Sequence, residues 1–278
     1  MPQRRSARVQ TMSDQEQNNN PFKYQKHFVE WMTSLDERTP ENSGLQDIVS
    51  PDSLYRLETY QSSFLSRISN NLCETLFEAC ENLFGVELVA QILAGFFKFN
   101  PPTAESITEA PNALPSYLRA TAKTREALLF SDLAEISIKR WKILTALDPR
   151  VVQPNELTPL HQLHLVKPSA YIQACSKHDL ATAWQLSESK ISGGLPESLF
   201  EKCTGVLIAK SSPTDLTILT VPEQLQCFVQ ALVQGSSVEH GIDVLEQSSV
   251  GNEEVCIMLM SEMMTALQAQ NLLTQSQN

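Results

Sequence analysis

No arginine occurs after Arg150. Residues 151–278 carry five lysines against thirteen Asp or Glu, a local net charge of -8. Residues 21–150 do not compensate, with thirteen basic and seventeen acidic residues, and the whole chain stands at -11. A protein that binds DNA neutralises phosphates with Lys and Arg, so this balance argues against a phosphate-reading surface. Cysteine pairing is also missing. Cys73, Cys80, Cys175, Cys203, Cys227 and Cys256 form no CxxC pair. Met1 to Asn20 is polar, carries Arg4, Arg5 and Arg8, and contains no apolar signal-peptide core, so reduced thiols and a cytoplasmic location are expected. No run reaches eighteen uncharged apolar residues. Leu83 to Phe99 comes nearest, but Glu87 and Lys98 break it, which predicts a core helix and no membrane span. Gly-rich phosphate loops, Gly-x-Ser-x-Gly and compact acid pairs are absent too, which predicts a chain without catalysis or a cofactor of its own.

What is present is apolar periodicity. The chain has 278 residues, 42% of them hydrophobic, enough for a sizeable core and two domains. Residues 1–20 read as a disordered tail. Tyr24, Phe28, Trp31, Met32 and Leu35 fall at helical spacing, and Ser53 is placed to cap a long helix bearing Leu57, Tyr60, Phe64, Leu65, Ile68, Leu72 and Leu76. Cys73 and Cys80 are expected as buried thiols on one face of a helix. Helices over 86–99, 116–129 and 131–147 complete an all-helical domain over 21–150, and Pro149, Pro154 and Pro159 mark a linker at 151–159.

The remainder, 160–278, changes character. Leu163 and Leu165 alternate as in a strand, and Leu180 to Leu186 reads as a short amphipathic helix. Val206 to Ala209 and Leu216 to Val221 read as a β-hairpin, followed by three helices opening near Pro222, Ser236 and Asn252. Thr220 to Glu223 and Ser236 to Glu239 have capping-box spacing. The expected fold is α+β, mostly α: an N-terminal all-helical domain, then a winged-helix-like domain with a small β-sheet and three helices.

Three groups of residues invite a chemical reading. His161-x-x-His164 with Cys175-x-x-His178 offers zinc-competent ligands, but three-residue spacing on a strand turns two imidazoles apart, so no metal site is assigned. Arg119, Lys123, Arg125, Lys139, Arg140 and Lys142 form a basic patch interleaved with Glu126, Asp132 and Glu135, more suited to a solvated helix face or an acidic protein partner than to DNA. Phe77, Phe84, Phe96, Phe97 and Phe99 sit at helical spacing and read mostly as core, with Phe97 or Phe99 the candidate anchors for a partner beside the Pro101-Pro102 stop.

The order of motifs adds a resemblance. Arg56-Leu57 with Tyr60, then Leu83-Phe84-Gly85, Phe96-Phe97-Lys98-Phe99-Asn100-Pro101-Pro102, Leu114-Pro115-Ser116-Tyr117-Leu118 and Asp132-Leu133-Ala134 follow one another as in a bacterial family labelled as a DNA-binding domain. Leu163-His164-Leu165, Pro168-Ser169, Trp184 and the hairpin extend the match over roughly 22–273. Gln61, Ser63 and Ser137 stand where the family usually has Arg, Asn and Glu. Members of that family are partner subunits of TIM-barrel iron enzymes that modify cysteines in small peptides, on the pathways to methanobactins and bufferins. The resemblance implies a non-catalytic adaptor. Its helical domain would dock on the enzyme through Arg56, Tyr60, Phe97, Phe99, Arg119 and Lys123. Its second domain would hold the substrate peptide along Leu216, Thr217, Ile218 and Leu219, with Leu225 and Phe228 walling the groove. The alternative, from the family's label, is a DNA-binding regulator. Leu163–Leu165 could also occupy the hairpin edge, which would leave Val206–Ala209 as the free one.

Overall fold

The computed structural model describes residues 67–100, 109–148, 151–155, 157–173, 178–189, 195–214, 216–248 and 253–275. The fold is α+β and mostly α. Expectations on the 1–20 tail, the helix near Trp31, Arg56, Tyr60, Cys175 and Asn252 lie outside these residues. The chain divides into two compact units, residues 1–68 with 94–103, and residues 69–93 with 104–278. The expected linker at 151–159 therefore lies within one unit, because elements before and after it pack on each other.

In the smaller unit the described residues are 67–68 and 94–100. Phe96 and Phe97 are fully buried, their ring centroids 5.2 Å apart, and Phe99 is 69% exposed. Phe97 is thus a core residue and not a partner anchor.

The larger unit opens with helical residues 69–75, a break at Leu76 and Phe77, and then α1 (Glu78–Phe84). The break places Cys73 and Cys80 on two helices instead of one, but both thiols are buried. Burial, with the Glu81 carboxylate next in effect, pushes the Cys73 thiol up to about 12, so it stays protonated at neutral pH. Gly85, at φ +86°, separates α1 from α2 (Val86–Phe99). Next come α3 (Leu114–Thr121) and α4 (Arg125–Thr145). The helix expected over 116–129 stops early because Thr124 caps a new one, its hydroxyl accepting from the Ala127 N–H at 3.2 Å. The middle of α4 is buried almost all round, from Leu129 to Ala134 and from Ile136 to Ile138. It packs on α3, on α1 and on the sheet, and Phe84 meets Phe130 edge-on at 5.3 Å.

The sheet region contains β1 (Leu163–Leu165), β2 (Ser169–Gln173), α5 (Leu180–Glu188), β3 (Thr204–Lys210) and β4 (Leu216–Pro222). After them come α6 (Gln226–Gln234), α7 (Val238–Gln247), α8 (Glu253–Ala269) and β5 (Leu273–Gln275). The predicted hairpin is β3–β4, and three helices follow it. However, β2 adds on the other side of β3, giving an antiparallel order β2-β3-β4, while β1 pairs with β5 in a separate two-stranded sheet. Leu163–Leu165 therefore does not cover the hairpin, and Val206–Ala209 is the central strand with no free edge.

Being central, β3 is buried on both faces. Leu207 and Ala209 face a core made with Val221, Leu225, Phe228, Val229 and Leu232, and with Val238 and Leu245 of α7. Gly241 lets α7 approach: a Cβ there would lie 2.9 Å from the Phe228 ring. Ser237, one residue inside the expected box, caps α7 by accepting from the His240 N–H. The box expected at Thr220 is absent because β4 continues to Pro222 and a short 3-10 turn intervenes before α6.

On the opposite face Lys210 is 3% exposed. Its Nζ donates to the carbonyls of Leu144 at 3.2 Å and Ala146 at 3.1 Å, and pairs with Asp148 at 2.9 Å. A buried ammonium thus closes the C-terminus of α4, where unpaired carbonyls carry the negative end of the helix dipole. Lys210→Met keeps the stem but leaves those carbonyls unpaired. We expect about 1–3 kcal/mol less stability by urea titration, against no change for the exposed Lys202→Met.

Candidate functional site

Strand β4 is an edge strand, and among the described residues nothing pairs with its outer side. Which of its backbone groups point outward follows from two hydrogen bonds elsewhere. The Lys210 N–H donates to Pro168 O and the Thr204 N–H to His178 O, so both ends of β3 direct their even-numbered residues toward the β2 side. Alternation along an antiparallel ladder then directs Gly205, Leu207 and Ala209 toward β4. Their partners Val221, Leu219 and Thr217 are spent on β3. Leu216, Ile218 and Thr220 are left facing outward, their N–H and C=O groups without partners among the described residues. This row is a template for an added strand.

A cavity of about 430 Å3 runs along Leu216–Thr220. Its other side is α5, with the buried Trp184 and the exposed Gln185 and Glu188, together with Arg140 from α4. Asp179 caps α5, its carboxylate accepting from the Thr182 N–H at 3.2 Å and from the Thr182 and Thr204 hydroxyls. This fixes α5 against the start of β3. Trp184 is fixed in turn, its indole N–H donating to Glu188 at 3.0 Å.

Leu225 and Phe228, expected to wall this groove, are fully buried in the core on the other face of the sheet. The side chains of Leu216, Ile218 and Thr220 alternate away from that core. The wall they face is α5, whose Trp184 the sequence marks as part of a short amphipathic piece and of the motif order, but not as a groove residue. Leu216, Thr217, Ile218 and Leu219 line this groove, which lies on the sheet face opposite Leu225 and Phe228.

Two of the six residues of the basic patch, Arg119 and Arg125, are held in ion pairs. Arg119 pairs with Asp132 at 2.9 Å and with Glu135. Burial alone would lower its guanidinium, but hydrogen bonds to Glu135 and Asp132 outweigh that and hold it above its ordinary value. Asp132 is 1% exposed and its second oxygen meets His178 Nδ1 at 2.8 Å, with His178 equally buried. Arg125 pairs with Glu126 and Glu197 and stacks over Phe200 at 4.3 Å. Arg119 is therefore a structural tie rather than a docking residue, while Lys123 remains exposed. His178 belongs to that tie, His161 is exposed, and His164 Nδ1 lies 3.2 Å from Gly235 O. Among the described residues no three His, Cys, Asp or Glu side chains are grouped to hold a metal ion. None of the described helices is long and apolar enough to cross a membrane. No family model and no curated protein matches the chain.

Proposed function

We propose that this chain is a non-catalytic partner subunit that holds an extended, ribosomally made peptide for a TIM-barrel iron enzyme acting on the peptide's cysteines. The observation that carries the peptide half is the outward row at Leu216, Ile218 and Thr220 beside a groove deep enough for side chains. A peptide added there gains main-chain bonds from the edge, and its alternate side chains meet Trp184 and the α5 face. Tethering the peptide beside an enzyme raises the effective concentration of its cysteines at the metal. The enzyme half rests on the ordered motifs from Arg56 to Ala134. Phe99 and Lys123 are exposed and available for docking, whereas Phe97 and Arg119 are withdrawn from that role.

The charge of -8 on residues 151–278 argues against the DNA reading, since few phosphates can be neutralised. The test is co-purification. The tagged chain, expressed with the product of a neighbouring TIM-barrel gene, should retain that enzyme through gel filtration at roughly physiological salt. Nanomolar, sequence-dependent DNA binding at physiological salt, with no enzyme retained, would overturn the proposal.

A further inference from the structure

The groove beside β4 does not end at Arg140. A second cavity, of about 290 Å3, shares Arg140, Trp184 and Glu188 with it and extends between α1 and α4, with Ser137 lining its wall. Ser137 is 3% exposed, and its Oγ has no hydrogen-bond partner among the described residues. A buried hydroxyl without a partner is costly, and such a group marks a place where something else completes the bond. Arg140 lies three residues further along α4, on the same face. Its guanidinium sits 6.0 Å from the centre of the Trp184 ring and makes no ion pair among the described residues, unlike Arg119 and Arg125.

The neighbouring polar groups are already engaged. Asn82 Nδ2 donates to Ser187 O at 3.0 Å, Ser187 Oγ to Trp184 O at 2.6 Å, and Thr75 Oγ1 to Asn71 O at 2.5 Å. Glu188 accepts from the Trp184 indole, and Glu78 has a partner of its own. The two groups left over are a guanidinium and a hydroxyl, which together complement a carboxylate. Glu78 and Glu188 also line the cavity and oppose any anion, a dianion such as phosphate more than a single carboxylate held by Arg140 and Ser137.

We infer that this cavity is a carboxylate subsite, in which Arg140 and Ser137 receive one Asp or Glu side chain of the peptide lying on β4. This rests on the peptide-edge reading and adds the class of sequence it selects: an extended segment with a single acidic residue.

The test uses alternating Thr-Val decapeptides that carry one Glu, one Gln or one Lys at the same position, with the position varied. Binding is measured by fluorescence anisotropy to the full-length chain and to Arg140→Gln, Ser137→Ala and Ile218→Pro. The unsubstituted chain should favour Glu over Gln by about tenfold at one position, since a hydrogen bond to a charged group is stronger than its neutral counterpart. Arg140→Gln should abolish that preference while binding of the Gln peptide is kept, and Ser137→Ala should reduce it. Ile218→Pro should weaken all peptides alike. Equal binding of Glu and Gln peptides, still sensitive to Ile218→Pro, would overturn the subsite and leave the edge reading standing. A preference for Lys would overturn it in favour of the rim carboxylates. Binding of no peptide at all would remove both readings.

Discussion

Asp132→Ala should destabilise the protein by about 3–5 kcal/mol, because removing one member of a buried, charged cluster strips a bond from each of its partners. Asp132 bonds both Arg119 and His178, with one oxygen on each. Without it the His178 ring, 1% exposed and edge-on to Phe200 at 5.6 Å, faces an emptied site. Arg119 retains Glu135, but that carboxylate is 26% exposed and partly solvated. The damage is not local. Asp132 lies on α4, Arg119 on α3 and His178 just before α5, so the cluster links three helices. Urea unfolding of the variant checks this. A loss below about 1 kcal/mol, the range of an exposed pair, would show that the cluster is not buried as described.

Thr217→Pro and Ile218→Pro should differ sharply although the residues are neighbours. The Thr217 N–H belongs to the β3–β4 ladder, opposite Ala209. Proline there removes a ladder bond and leaves the facing Ala209 carbonyl unpaired beside the main core, at a cost of about 1–3 kcal/mol. The Ile218 N–H points away from the sheet, where proline is tolerated on an edge. Ile218→Pro should therefore fold, with a stability loss of no more than about 1 kcal/mol from the trimmed side chain and fixed φ. If the two variants are reversed, the strand is out of phase with the alternation argued above, and Thr217, Leu219 and Val221 form the outer row instead of Ile218 and its even-numbered neighbours.

The hairpin and the helices after it are legible because β-branched alternation and helical periodicity are local signals. Thr204–Lys210 and Leu216–Pro222 lie on either side of the bend at residues 211–214, and Gly235 with Ser237 punctuates α6 and α7. β2 is less legible: Ser169–Gln173 follows Pro168 and has only Tyr171 and Ile172 as strand formers. Its pairing with β3 is decided by packing, including the Tyr171 ring lying over Gly205, where a Cβ would collide with the ring. β5 has three residues and is placed by β1, more than a hundred positions earlier.

The candidate site is half legible for the same reason. Leu216–Leu219 can be picked out as an edge, since the strand is local. Which of its residues face outward depends on the distant Lys210–Pro168 bond, and the wall depends on α5 crossing the sheet. Leu225 and Phe228 suggest themselves for the groove because they follow β4 closely in sequence, but the other sheet face has a stronger claim on two large apolar side chains. Arg119 and Asp132 read as surface charges on helices. Their separation of 13 positions, and that of Asp132 from His178 of 46, hides a buried cluster that only the tertiary fold assembles.

The central claim, that β4 captures a peptide by strand addition, is tested most directly by residue-resolved amide hydrogen exchange along β4. In the free chain the Thr217, Leu219 and Val221 amides should exchange slowly and those of Ile218 and Thr220 rapidly. On adding the Glu-bearing decapeptides, Ile218 and Thr220 should become protected while Thr217, Leu219 and Val221 stay as they were. A bound peptide that leaves Ile218 and Thr220 exchanging rapidly would contradict the account.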